Sequence, residues 1–314
     1  MTTAATRLHL ALARAMRALP YFRGKGRMMW HLRRRLLPGL PPSHAVHSVH
    51  MRDGSRMTLD VRSDVEWCAF YTGRYDDVLP AILDLLPERC LALDVGANIG
   101  FYTVPMGIRL RQLGGKCVAF EPVPTNYARL CDNIRANGLD DVVQALPLAL
   151  GEQNRDIVML LYDDTGATTG NAAWVASADF DHSERKPKRV VARMARLDDC
   201  VNQVEFFRLP CRFIKVDIEG NEPFFFRGAA GFLKENRPIV LAEVNSVWLA
   251  RNALRASDYF EIFGPEGYTA YLWQHGAWLE LSGPQAMNSI KGISTALLVP
   301  PDISFPRLQR FRDR

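Results

Sequence analysis

The first 52 residues contain no aspartate or glutamate, although ten lysines and arginines fall among them (Arg7, Arg14, Arg17, Arg23, Lys25, Arg27, Arg33, Arg34, Arg35 and Arg52). Nor does any apolar run approach the ~18 residues that a membrane-spanning helix requires; even FFFRGAAGFL is broken by Arg227 and Gly228. The N-terminus lacks the uninterrupted apolar stretch and small-residue cleavage site of a secretory signal. The six cysteines form no C-x-x-C pair and no metal-ligand spacing, which leaves a disulfide framework or a zinc site without support and fits a reducing, cytoplasmic compartment. Neither the G-x-G-x-x-G of dinucleotide binding nor the G-x-x-x-x-G-K-[ST] of phosphate loops occurs.

What remains is a chain of 314 residues, 48% apolar and 23% charged, long enough to bury a full core as one large domain with appendages. Its formal charge of +5 is uneven, since beyond residue 52 the 34 acids outnumber 29 bases. A basic arm, residues 1–42, therefore precedes a mildly acidic body. Within the arm, Leu8, Leu12, Ala15 and Leu19 recur at helical spacing, and MMWHLRRRLL makes a second amphipathic segment after the break at Gly24–Gly26. Such a pattern can lie on anionic membrane lipid, meet a partner protein or nucleic acid, or pack its apolar stripe on the body with the arginines in water.

Residues 43–75 alternate around Asp53-Gly54, as a β-hairpin does. Its histidines, His44, His47 and His50, cannot share one metal ion, because His47 points to the opposite face of the strand. From residue 76 to 300 short apolar runs alternate with helical patterns: CLALDVG, KCVAFEP, VVQALPLALG, RFIKVDIEG and RPIVLAEVN. Runs apolar on both sides of the pleat, separated by amphipathic helices, predict an α/β fold with a parallel sheet buried on both faces. Tyr127, Leu130, Cys131 and Ile134 mark one helix, with Asn137-Gly138 as its stop. The helix after the first run contains Pro105, which is expected to kink or shorten it. An insertion occupies about 155–197, and 301–314 form a tail. Within the insertion, DDTGATTGNAAW offers small hydroxyl and amide side chains, Thr168 and Asn171 among them, suited to sugar recognition, and ERKPKR reads as a solvated linker. Asp198-Asp199, ahead of a helical segment, reads as a helix N-cap.

The stretch LALDVGANIG ends an apolar run in an acid and then places Gly96, Asn98 and Gly100 in quick succession. In a doubly wound sheet the ligand sits outside the carboxyl ends of the strands, where backbone must approach it closely. Asp94, Gly96, Asn98 and Gly100 are candidates for that contact, and the following helix N-terminus offers free N–H groups. Glu121 ends the next run 21 residues after Gly100, where an acid commonly binds ribose hydroxyls. Without a pyrophosphate cradle, a ribose-bearing ligand with an amino-acid end is favoured, which describes S-adenosyl-L-methionine.

The ordered set LALDVGANIGFYT, VAFEPVPTNYARLCDNIRANG, ALGE, ARLDD, FIKVDIEGNEPFFFRGA and RPIVLAEVN resembles, over roughly Asp76 to Asn245, the FkbM family of S-adenosylmethionine-dependent methyltransferases. The resemblance implies a Rossmann-like class I sheet, mostly parallel, with an antiparallel final hairpin for which TAYLWQ and STALLVP are suitable. It implies cofactor contacts from Asp94, Gly96, Asn98, Gly100, Glu121, Ala149 and Asp217, and methyl transfer to a hydroxyl, commonly on a sugar, glycan or natural product.

Transfer to a hydroxyl needs the acceptor held against the methyl carbon and a base for its proton. Glu219 is the preferred base and Asp217 the second catalytic candidate; loop construction, with Asp217 bonding backbone amides and Glu219 capping the next helix, is their structural alternative. Glu243 and Asn245 form a further polar pair on the same edge, as acceptor contacts or, with Asp217, as oxygen ligands to a divalent cation; no metal is expected. Two rival functions are a nucleic-acid methyltransferase using the arm, disfavoured because no Asn-Pro-Pro-Tyr type of loop follows the fourth strand, and a non-catalytic scaffold, disfavoured because Asp94, Gly96, Gly100 and Glu121 are intact.

Overall fold

A computed structural model of the chain describes residues 4–22, 24–36, 44–162, 171–173, 188–201, 204–274 and 276–303. The five apolar runs become strands β3 (Leu91–Val95), β4 (Lys116–Phe120), β5 (Val143–Leu146), β10 (Cys211–Val216) and β11 (Ile239–Asn245), all mutually parallel in the order β5-β4-β3-β10-β11. Their side chains divide by period two. Ala92, Cys117, Ala119, Phe213 and Leu241 enter one core, and Leu93, Val118, Phe120, Ile214 and Val240 enter the other, so the sheet is buried on both faces. Three antiparallel strands extend it past β11: β14 (Ile293–Val299), then β12 (Thr269–Gln274), then β13 (Ala277–Leu281). The two anticipated closing strands are β12 and β14, and the unanticipated β13 pairs with β12 at the edge.

Helices α5 (Thr103–Leu113), α6 (Pro124–Ala136), α8 (Glu222–Gly228) and α9 (Ala230–Asn236) connect the parallel strands. Pro105 does not interrupt α5. It is the third helical residue, in the first turn, where its missing N–H has no partner to lose. The run VVQALPLALG splits at Pro147: β5 stays in the main sheet, and β6 (Ala149–Leu150) joins a separate four-stranded sheet in the order β6-β9-β7-β8. That sheet is the insertion, with β7 (Arg155–Tyr162), β8 (Asn171–Ala173) and β9 (Lys188–Ala195). Lys188 and Arg189 therefore begin a strand and are not linker; the rest of ERKPKR and Thr168 lie outside the described residues. Asp198 does cap a helix, though a different one: from α7 (Leu197–Cys200) its carboxylate accepts the Gly231 and Phe232 N–H groups of α9 at 3.1 and 2.9 Å.

Ahead of the sheet, β1 (Val46–His50) and β2 (Arg56–Asp60) form the hairpin, closed by the Ser55 N–H donating to Asp53 Oδ1 at 2.8 Å. Helix α3 (Asp64–Thr72) follows, and α4 (Leu79–Leu83) leads into β3. The arm forms α1 (Ala4–Ala18) and α2 (Lys25–Leu36), both packed on α3. Of the leucine stripe, Leu12 packs partly buried against the core while Leu8, Ala15 and Leu19 stay exposed, so the face of α1 turned to the body is centred elsewhere. It is Thr6, His9, Ala13 and Met16, all buried, with His9 Nδ1 hydrogen-bonded to the Tyr71 hydroxyl. Side-chain donors tie the joint: Arg17 to the Phe70 carbonyl, Arg52 to the Arg17 and Leu19 carbonyls, and buried Lys25 to the Met16 and Leu19 carbonyls. Small and polar residues face inward because Trp67, Phe70 and Tyr71 of α3 already fill the space between the helices.

Deleting residues 1–35 would uncover those three aromatics, which are at most 2% exposed. The truncated protein should melt lower by several kcal/mol of lost apolar burial or become insoluble; an unchanged melting curve by circular dichroism would contradict this packing.

Candidate active site

The parallel strands run outward from β3 in two directions, β4 and β5 to one side and β10 and β11 to the other, so the switch point lies between β3 and β10. Ligands bind there, outside the strand carboxyl ends. Residues Lys215 and Asp94 are register partners across this junction. Lys215 is 6% exposed; its Nζ donates to the Gly96 carbonyl at 3.0 Å and stands 3.4 Å from Asp94 Oδ1 and 3.6 Å from Asp217 Oδ2. Burial works against its charge, but the pull of Asp94, then Asp217 and Tyr75, outweighs burial and raises its pKa. This ammonium joins the glycine turn to the β10 tip. It went unread in the sequence, where a lone lysine inside the apolar run FIKV was its one signal.

Asp94 is fully buried and turned inward. Its Oδ2 accepts the Thr103 hydroxyl at 2.5 Å, and Oδ1 has only the longer Lys215 contact. Its part is to hold the first turn of α5 and the lysine. Gly96 has φ +79°, and a Cβ there would lie 2.0 Å from the Asp217 carbonyl oxygen. The strand tips can close together only with glycine at this position. A Cβ on Gly100 would lie 2.9 Å from Leu130 Cδ1, so that glycine seats α6.

Glu121, 4% exposed at the tip of β4, accepts the Asn98 N–H on Oε2 at 2.8 Å and the Val123 N–H on Oε1 at 2.9 Å. Burial raises its pKa to about 7 in spite of those bonds. Each oxygen keeps a lone pair, so the carboxylate shapes the Asn98 turn and remains able to take ribose hydroxyls. Gly96 and Asn98 stay partly exposed beside it, and Ala149, half-buried in β6, packs near Val123. These residues fit S-adenosylmethionine: a ribose acceptor at one side of the switch point and, at the other, carboxylates facing where its cationic end would lie.

Those carboxylates cluster beyond β10 and β11. Glu222, fully buried, accepts the Ile218 N–H at 2.9 Å and the Gly220 N–H at 3.4 Å, and Tyr259 donates to it at 3.2 Å. Glu222 thus does the loop construction expected of Asp217 and Glu219. Asp217 is left with Lys215 as its side-chain partner, and Glu219 caps no helix. Glu219 is held at φ +56° and is partly buried. The turn is forced, since Gly220 follows at φ +83° with Trp248 backbone 2.6 Å from where its Cβ would be. Burial, then Asp217 and Glu222, raises the Glu219 pKa to about 8. Glu243, whose Oε2 is buried without a hydrogen-bond partner, is raised to about 9 by burial, Asp217 and Glu219. Asn245 is occupied as the N-cap of α10 (Ser246–Arg251), accepting the Trp248 N–H at 3.3 Å. Asn171 belongs to β8 of the insertion. Among the described residues no group of three His, Cys, Asp or Glu is arranged to hold a metal ion.

An aromatic wall that the sequence did not announce completes the cleft. Tyr75 stacks on Phe101, centroids 4.5 Å apart, and edges against Tyr102, whose hydroxyl bonds Asp76. Burial, then the Asp217 charge, raises the Tyr75 pKa.

Two outcomes follow. Glu121, Glu222, Glu219 and Glu243 all titrate above the ordinary 4.5. The folded state therefore holds protons that the unfolded chain has released. Their stabilisation is complete below pH 4.5 and is lost as pH rises through about 7 to 9, so the cofactor-free protein should melt progressively lower between pH 5 and 9, and Glu243→Gln should flatten that slope. Separately, Lys215→Met leaves Asp94 buried without a counter-charge and should cost about 3–5 kcal/mol in urea unfolding; a loss below ~1 kcal/mol would show the contact to be incidental.

Residues 94–281 match the family model for the methyltransferase FkbM domain. No curated protein matches the sequence. Among solved structures, an FkbM methyltransferase from Methylobacillus flagellatus is 16% identical with a TM-score of 0.43, the alignment covering 68% of this chain and 44% of that one. TYW2 of P. horikoshii, in complex with MeSAdo, is 16% identical with a TM-score of 0.41, covering 84% and 72%. An O-methyltransferase from Bacillus cereus, in complex with SAH, is 14% identical with a TM-score of 0.37, covering 95% and 90%. The family match takes in more than half of the chain, from Asp94 near the end of β3 to the last residue of β13: this protein belongs to the FkbM family of methyltransferases.

Proposed function

We propose that the chain methylates a hydroxyl group of a sugar, glycan or natural product, with Glu219 as general base. When bound, S-adenosylmethionine supplies a methyl carbon activated by its sulfonium. Glu121 is the residue for its ribose, and the Gly96–Asn98 backbone and Asp217 are those for its amino-acid end. The acceptor hydroxyl lies over the tips of β10 and β11. There the Glu219 carboxylate would take the hydroxyl proton as the acceptor oxygen is methylated. Tyr75 and Phe101 form an apolar wall that keeps water from the reacting groups, and Lys215 holds Asp217 and the Gly96 turn in place.

The observation that carries this reading is the state of Glu219. It sits on a left-handed backbone turn at the strand tip, its carboxylate without a hydrogen bond to the loop among the described residues, with its pKa raised to about 8. A general base works best with a pKa near the working pH, and non-glycine residues held in that conformation concentrate at functional sites. Glu222 relieves Glu219 of structural duty, which is what a reactive carboxylate requires.

Mass spectrometry of glycans and small molecules from cells with and without the gene should find a hydroxyl-bearing product heavier by one methylene; a methylated nitrogen or nucleic acid would overturn the acceptor class. With that acceptor, Glu219→Gln should lower kcat by about a hundred- to ten-thousandfold and erase the acid limb of its pH profile, with cofactor affinity unchanged. Asp217→Asn should weaken cofactor binding in calorimetry as well as rate. A Glu219→Gln enzyme with near-normal turnover and an intact limb transfers the role to Glu243 or Asp217.

A further inference from the structure

Helix α1 buries one face and leaves a broad arc in water. Thr6, His9, Ala13 and Met16 are buried at three- and four-residue spacing, with Leu10 and Leu12 packed partly against the same core; Leu8, Ala15 and, just past the helix, Leu19 lie on one edge of the solvent arc. There Leu8 is 53% exposed and Leu19 50% exposed. Phe22, in the turn that follows, and Met28, on α2, are also left in water, at 45% and 41%. Arg7 and Arg14 are exposed on the other edge of that arc, with Ala4, Ala11 and Ala18 between them and the leucines, and Arg27 is exposed on α2; none has a carboxylate partner among the described residues. No acid occurs within the first 52 residues to offset them.

We propose that the outer face of α1, continued by Phe22 and Met28, is a docking surface for the anionic face of a phospholipid bilayer. Large side chains exposed as a row need a function or a partner. A helix whose solvent arc carries leucines on one edge, arginines on the other and no acids matches the interface of an anionic membrane, where apolar side chains enter the acyl boundary and cations meet headgroups. Nucleic acid would use the arginines and leave the leucine row in water. The helix is already held, by the His9–Tyr71 bond and the Arg17, Arg52 and Lys25 bonds, so docking orders no further backbone. The joint also reaches the cleft, since Arg74 stacks on Tyr21 with 4.5 Å to the ring centroid and adjoins Tyr75.

Co-sedimentation of the full-length chain with vesicles tests this, using phosphatidylcholine alone or in equal parts with phosphatidylserine. At about 0.1 M salt the protein should partition onto the serine-containing vesicles and not onto the neutral ones, and high salt should release it. Arg7→Ala with Arg14→Ala should weaken partitioning by about thirtyfold, and Leu8→Glu with Leu19→Glu should weaken it at least as much. All four side chains face solvent, so both double variants should retain the wild-type melting curve. Absence of wild-type binding to the serine-containing vesicles overturns the proposal, as does unchanged binding by the leucine variant. Tighter binding to duplex DNA that depends on the arginines alone reassigns the surface to nucleic acid. Failure here leaves the methyl-transfer reading untouched, because neither pair lies at the cleft.

Discussion

One buried cation, Lys215, holds the carboxyl end of the sheet together at its switch point. It satisfies the carbonyl of Gly96, the counter-charge of Asp94 and the counter-charge of Asp217, three groups on two strands that would otherwise repel or stand unpaired. A buried ion pair is worth little against an apolar replacement, yet losing one partner is costly. The charge therefore specifies geometry more than it adds stability. It fixes the glycine turn against the β10 tip, and Gly96 makes the approach possible by having no Cβ to meet the Asp217 carbonyl.

With one cation answering Asp94 and Asp217, the remaining carboxylates carry the imbalance. Glu222 spends its oxygens on backbone N–H groups and a tyrosine hydroxyl. Glu219 and Glu243 have no such recompense, and burial beside like charges leaves them protonated over part of the neutral range. Such a site loses stability as pH rises while gaining a proton acceptor, a common exchange at catalytic centres. The aromatic wall of Tyr75, Phe101 and Tyr102 deepens the effect by excluding water on the remaining side.

The arm shows the same division of labour on a larger scale. Its inner face is specific, built of hydrogen bonds between named side chains and carbonyls, whereas its outer face is generic, leucines on one edge and arginines on the other. Packing on the body takes Met16, Leu10 and Leu12 from α1, and leaves Leu8 and Leu19 for another surface.

Much of the sheet was legible because its determinants are local: apolar runs of strand length, the permissive turn after Asp94, and Glu121 at the next strand tip are properties of a few adjacent residues. Period alone also located the helices of the arm. It could not say which face of α1 would meet the body, because that depended on how Trp67, Phe70 and Tyr71 of a later helix fill the joint. For the same reason Asp198 was recognisable as a cap while the helix it caps, α9, was not, and Glu222 looked like one more acid in KVDIEGNE until Ile218, Gly220 and Tyr259 were seen to converge on it. Residue types and spacing decided the family and the places of the acids at the strand tips. Only the tertiary structure decided which of those acids are spent on the backbone and which are left to react, since that choice is set by burial and by partners distant in the chain.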